Sequence, residues 1–190
     1  MPNSNLTNSP SRFGWVAITL HWVIALAVIA QVALGLYMVD LNYHDPLYHQ
    51  LPDIHKSVGA LLFFVLVARI IWSILNVHPM AEVNVRPWEY LAARFVQIAM
   101  NGLLLIIVIF GYLLSTAEGD GIDVFGLFEI PATITNIQNQ EDIAGYWHYW
   151  LAMIVIGLAS VHALAALKHH FVDKDATLLK MLGKSRRKDT

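Results

Sequence analysis

Four long apolar runs, separated by polar stretches, dominate the pattern of hydrophobic and polar positions along the chain. They cover roughly residues 13–39, 55–75, 95–116 and 146–168. As a helix, each is long enough to cross about 30 Å of hydrocarbon. Only helices and closed barrels satisfy their backbone in lipid, and continuous apolar runs of this length mean helices. The pattern therefore predicts an all-α integral membrane protein, a four-helix bundle over residues 13–171. A polar lead, residues 1–12, precedes it, with two prolines and three asparagines, and is expected to be disordered. A basic tail, residues 172–190, follows, amphipathic from Val172 to Leu182. Helix three is expected only to close the bundle. The loop from Ala117 to Gly145 has an apolar middle, Val124-Phe125-Gly126-Leu127-Phe128, suited to lying on the bilayer or capping the bundle.

Charge orients these spans. The formal net charge of −2 conceals a polarised molecule. With four spans, both termini and the middle loop share one side. That side holds Arg12, Arg69, Arg86, Arg94, Lys168, Lys174, Lys180, Lys184, Arg186, Arg187 and Lys188, leaving only Lys56 opposite. The positive-inside rule then places both termini of this multi-pass protein in the cytoplasm. Asp40, Asp45, Asp53, Glu118, Asp120, Asp123, Glu129, Glu141 and Asp142 make the outer side acidic. The first run is too long for a signal-peptide core and is read as retained. Cysteine is absent, which excludes disulfides, thiolate metal sites and haem attached through cysteine. Membrane lipid is an expected partner, and nucleic acid is not.

Chemistry enters through histidine. His148 and His162 lie on the fourth run, and fourteen residues at 100° each leave only about 40° of rotation between them. Both therefore project from nearly one face, about 21 Å apart along the axis. Depth along the runs pairs His21 with His162 near the cytoplasmic side, and His55 with His148 near the outer side. Two facing imidazoles with no carboxylate or thiol suit a bis-histidine haem iron, whereas zinc usually takes a third or fourth ligand. Trp22, Trp147, Tyr149 and Trp150 would suit a flat apolar macrocycle, and Gly35, Gly59 and Gly157 would let one approach the backbone. Arg69 inside and Lys56 outside are the cations nearest each level, available to haem propionates. Each feature has an ordinary reading as well. Single histidines sit at membrane interfaces, tryptophans form belts, Arg69 can snorkel and glycines serve helix packing. His44, His49, His78, His169 and His170 lie in loops or at boundaries.

The chain also resembles a known family. Arg12-Phe13-Gly14 with Leu20-His21-Trp22, the opening Ile54-His55-Lys56-Ser57-Val58-Gly59, and Trp147-His148 are similar to bacterial cytochrome b561. So is the ending, His162-Ala163-Leu164-Ala165-Ala166-Leu167-Lys168-His169-His170-Phe171 followed by Asp173-Lys174-Asp175-Ala176-Thr177-Leu178-Leu179. The resemblance implies a protein of the bacterial cytoplasmic (inner) membrane with two non-covalent b-type haems, one on His21 and His162 and one on His55 and His148. It also implies an electron carrier, and one branch of the family oxidises superoxide outside and reduces ubiquinone. Bis-histidine iron has no open position, so such a donor would react at the haem edge, with no catalytic acid or base. Lys168, His169 and His170, beside the inner pair, are the candidate quinone contacts or proton donors. The acidic outer loops oppose an anionic donor, with only Lys56 to attract one. Two alternatives stand beside this reading. One is a relay subunit docked to a basic periplasmic dehydrogenase or hydrogenase, and the other is a haem-free metal transporter.

Overall fold

The computed structural model describes residues 5–82 and 85–184. Arg186, Arg187 and Lys188 of the basic tail, and the first four residues of the lead, lie outside the described residues. Four helices, α1 Trp15–Met38, α2 Gln50–Leu75, α3 Pro87–Ser115 and α4 Gln140–Phe171, are each long and apolar enough to cross a membrane. Little of each is buried inside the protein, so apolar side chains cover the outside as well, as lipid requires. α1 packs on α2, α2 on α3 and α3 on α4, and α4 closes the ring against α1. Ile24, Val28, Leu62, Leu66, Leu104, Ile107 and Val155 form a core to which all four helices contribute.

α2, α3 and α4 all begin earlier than their apolar runs, because their first turns carry acidic residues, Asp53, Glu89, and Glu141 with Asp142, outside those runs. In α3, Pro87 opens the helix and the Glu89 carboxylate accepts from the Arg86 backbone N–H at 3.1 Å, one half of a capping box. In α4, Asn139 turns the chain at φ 57°, and the Gln140 amide donates to the Leu113 and Ile134 carbonyls. α4 also runs to Phe171, beyond the expected end near 168.

Between α3 and α4 the structure adds a hairpin that the apolar pattern did not show. β1 Ile122–Val124 pairs antiparallel with β2 Phe128–Ile130, turning through Phe125 and Gly126, both at positive φ. Strands of three residues are too short for alternation to register. The apolar middle caps the bundle through Val124, which is fully buried. Ser57 of α2 locks it in place, its hydroxyl donating to the Asp123 carbonyl at 3.1 Å and accepting from the Phe125 N–H at 3.3 Å.

The opposite end carries both flanking segments. The lead, expected to be disordered, is ordered from residue 5 onward. The Trp15 N–H donates to the Asn5 carbonyl and the Gly14 N–H to the Asn8 side chain, while Met80 N–H reaches the Pro10 carbonyl. The physical reason is that the first N–H groups of a helix need acceptors, and the lead supplies them. The tail forms only a short helix, α5 Thr177–Met181, in place of an amphipathic stretch from 172 to 182. It is tied down by Trp22, whose indole N–H donates to the Met181 carbonyl at 2.9 Å.

Candidate functional site

At one end of the bundle α1 and α4 bring His21 and His162 together, with ring centroids 6.5 Å apart and planes at 66°. At the other, α2 and α4 bring His55 and His148 together at 6.0 Å and 75°. Both spacings suit a shared metal, since two metal–imidazole bonds of about 2 Å plus the ring radii place the centroids roughly 6 Å apart. All four rings are half-buried within membrane-spanning helices. The donor set of each pair is nitrogen only, as a porphyrin iron with two axial histidines requires.

The His55/His148 pair is held from three directions. The His148 Nδ1–H donates to the Ile107 carbonyl of α3 at 2.9 Å, which leaves the Nε2 lone pair free to ligate. Gly111, one turn along, makes this possible. A methyl group there would lie 3.0 Å from Cε1 and 3.1 Å from Nδ1 of the ring. Gly35 of α1 packs against the His55 ring, and the Gln31 amide donates to the His55 carbonyl at 2.8 Å. Helix three therefore does more than close the bundle, contrary to expectation. The missed residues had faint signals: Gln31 is a lone amide in an apolar run, and Gly111 a lone glycine.

At the His21/His162 level, Trp22 meets the His21 ring edge-on at 5.3 Å. Arg69 is half-buried and within electrostatic range of both imidazoles. Among the described residues no carboxylate pairs with it, so its guanidinium is available to an anionic group. The buried Nδ1 atoms of His21 and His55 have no hydrogen-bond partner among the described residues. Lys56, by contrast, is already paired with Asp53 at 2.8 Å and projects toward the surface. It fits a propionate less well than Arg69.

Lys168 bridges Glu89 at 3.0 Å and Asp173 at 2.8 Å, and His169 contacts Asp175 at 2.8 Å and Asp173 at 3.1 Å. Beside them lies an open cavity of about 600 Å³, walled by Arg86, Trp88, Glu89, Lys168 and Asp173. The remaining polar and aromatic candidates fall elsewhere. His44 and His49 join Tyr43 and Tyr48, His78 approaches Ser73, and His170 lies against Phe171. Trp147 stacks on Phe110, while Tyr149 and Trp150 meet each other on the exposed side of α4. Around Gly157 there is open space, with no atom of the described residues within 4 Å of where a methyl group would sit.

A family described as prokaryotic cytochrome b561 matches residues 12–184. The chain is 46% identical, over 95% of its length and 96% of the relative's, to "Cytochrome b561 homolog 2" of Escherichia coli K12. It is 27% identical to "Probable superoxide oxidase CybB" of Yersinia pestis, over 92% of this chain and 98% of that one. It is also 26% identical to "Cytochrome b561 homolog 1" of E. coli K12, over 90% and 97% of the two chains.

Proposed function

The chain belongs to the prokaryotic cytochrome b561 family of b-type haem proteins for transmembrane electron transfer, and from that premise we propose that it passes electrons from a one-electron donor outside a bacterial inner membrane to ubiquinone. The reading rests on one observation, the two imidazole pairs stacked at opposite ends of α4. His55 and His148 would hold one haem b and His21 and His162 the other. When bound, haem supplies a reversible one-electron iron couple.

The chain's own residues do the rest. The imidazoles fix the plane and depth of each site, and the core between them excludes water. Ile107 and Gly111 orient His148, and Gln31 fixes the backbone at His55. Arg69 offsets negative charge at the level of His21 and His162. Both termini face the cytoplasm in this reading, because the basic residues collect at their end.

A quinone takes two electrons and two protons to become a quinol. Superoxide loses one electron in becoming dioxygen, so two superoxide anions would be oxidised for each quinol formed. The cavity beside Lys168 is of ligand size and carries groups able to hold protons, Lys168, Glu89 and, behind them, His169. It is the proposed quinone level. Superoxide as donor is supported by the 27% identical relative and opposed by the acidic outer loops. Those loops favour, as a second reading, a relay that docks a basic redox protein. Stopped-flow reduction of the purified protein by superoxide, with and without ubiquinone, separates the two. Fast reduction followed by ubiquinone-dependent reoxidation supports the oxidase, and no reduction by superoxide excludes it. A reduced protein lacking sharp b-type bands would exclude both.

A further inference from the structure

A second, smaller cavity, of about 90 Å³, lies where the lead, the start of α1 and the segment after α5 meet. Three cations line it, Arg12, Lys180 and Lys184, together with the apolar Phe13, Trp15 and Ile18, and no carboxylate among the described residues does. Lys180 is already compensated by Glu82. Arg12 donates to the neutral Asn5 side chain at 2.8 Å, and neither it nor Lys184 has a carboxylate partner among the described residues. Two uncompensated cations thus converge on one small space.

The backbone is shaped to bring them there. Gly183 sits at φ +70°, and a methyl group on it would lie 3.1 Å from the Trp15 ring. Glycine therefore satisfies both the turn and the close approach, pressing the segment that carries Lys184 onto α1. The first N–H groups of α1 are spent on Asn5, Leu6 and Asn8, so attraction for an anion comes from the side chains alone.

Size and depth narrow the ligand. The cavity, of about 90 Å³, has room for one tetrahedral oxyanion. Trp15 opens the apolar part of α1, so it lies where hydrocarbon meets headgroups, the level at which tryptophan collects. It is 52% exposed, leaving an apolar flank beside the cations for an acyl chain. We propose that Arg12 and Lys184, flanked by Trp15 and Ile18, form a site for the phosphate of an anionic phospholipid. Basic pockets at a membrane surface bind such headgroups, each cation contributing roughly fivefold (about 1 kcal/mol).

The test uses the haem-loaded protein in a non-ionic detergent, with phosphatidylglycerol, phosphatidylcholine or inorganic phosphate added. Bound lipid is read by native mass spectrometry and stability by thermal unfolding. Phosphatidylglycerol is expected to remain bound and raise the unfolding midpoint, with phosphatidylcholine doing neither. Lys184→Gln should cut that preference about fivefold and Lys184→Arg should retain it. Lys184 is exposed and its side chain makes no hydrogen bond or ion pair among the described residues, and Arg12→Gln provides an independent second variant. Equal binding of the two lipids, or unchanged preference in both glutamine variants, would overturn the assignment. So would a full stabilising effect from inorganic phosphate alone, which would mark a site for free anions.

Discussion

The Nδ1–H of His148 on α4 donates to the backbone carbonyl of Ile107 on α3, 2.9 Å away. That carbonyl lies one turn before Gly111, where the missing side chain leaves room for the imidazole to reach it. A hydrogen bond of this kind sets the tautomer and angle of a ligating histidine, and raises its basicity. Gly111→Ala should therefore weaken haem retention at the His55/His148 level by roughly tenfold, in the range expected for loss of such support. Haem dissociation followed spectroscopically, with the signal from the other level unchanged, checks this.

On the proposed pairing two haem sites share α4, so mutation should give a divided response. His162→Ala should halve the haem bound per polypeptide, and His55→Ala should remove the other half. Inserting one alanine in α4 between His148 and His162 should rotate one against the other by about 100° and cost a site without removing any ligand. The pyridine haemochrome assay per chain gives the count. Full haem content after His162→Ala would contradict the pairing.

The bundle and its histidine pairs were legible because lipid imposes a coarse rule. Apolar length marks each span, and a histidine inside one can be assigned a depth by counting residues. His21, His55, His148 and His162 read this way, and in the fold their rings face each other in the same two pairs. The backbone partner of His148 was not legible. Any residue at 107 offers a carbonyl, and only the absent side chain at Gly111 decides whether it can be reached. The order in the lead was likewise hidden. Asn5, Asn8 and Pro10 look like loop composition, and the N–H donors they accept from, at Trp15, Gly14 and Met80, come within reach only once α1 and the middle loop are in place. The hairpin at 122–130 escaped because its strands are three residues long.

Ser57 is buried between α2 and the hairpin and serves two backbone groups at once. Ser57→Ala leaves the Phe125 N–H without its side-chain acceptor and the Asp123 carbonyl without its side-chain donor. A cost of about 1–3 kcal/mol is expected. Hydrogen exchange should quicken selectively at residues 122–130, with the helix cores unaffected.

His169 and Asp175 form the corresponding clamp at the other end. The Asp175 carboxylate is almost fully buried, accepts from the Thr177 N–H at 2.8 Å and contacts the His169 ring. Asp175→Asn should loosen α5 by about 1–3 kcal/mol. Release of the Met181 carbonyl from Trp22 would follow, so tryptophan fluorescence and limited proteolysis after residue 171 report the change. Trp22→Phe should add little in that background, because both substitutions break the same attachment.

The bond from Trp22 to Met181 joins positions 159 residues apart. It stands next to His21, whose own facing ring is His162. During synthesis His21 enters the membrane with the first helix, and must wait there through the translation of three more before either neighbour exists. His55 waits a shorter time for His148. The order of biosynthesis thus gives the two levels unequal histories. A half-made chain can complete neither site, and the level held by His21 is the last to assemble.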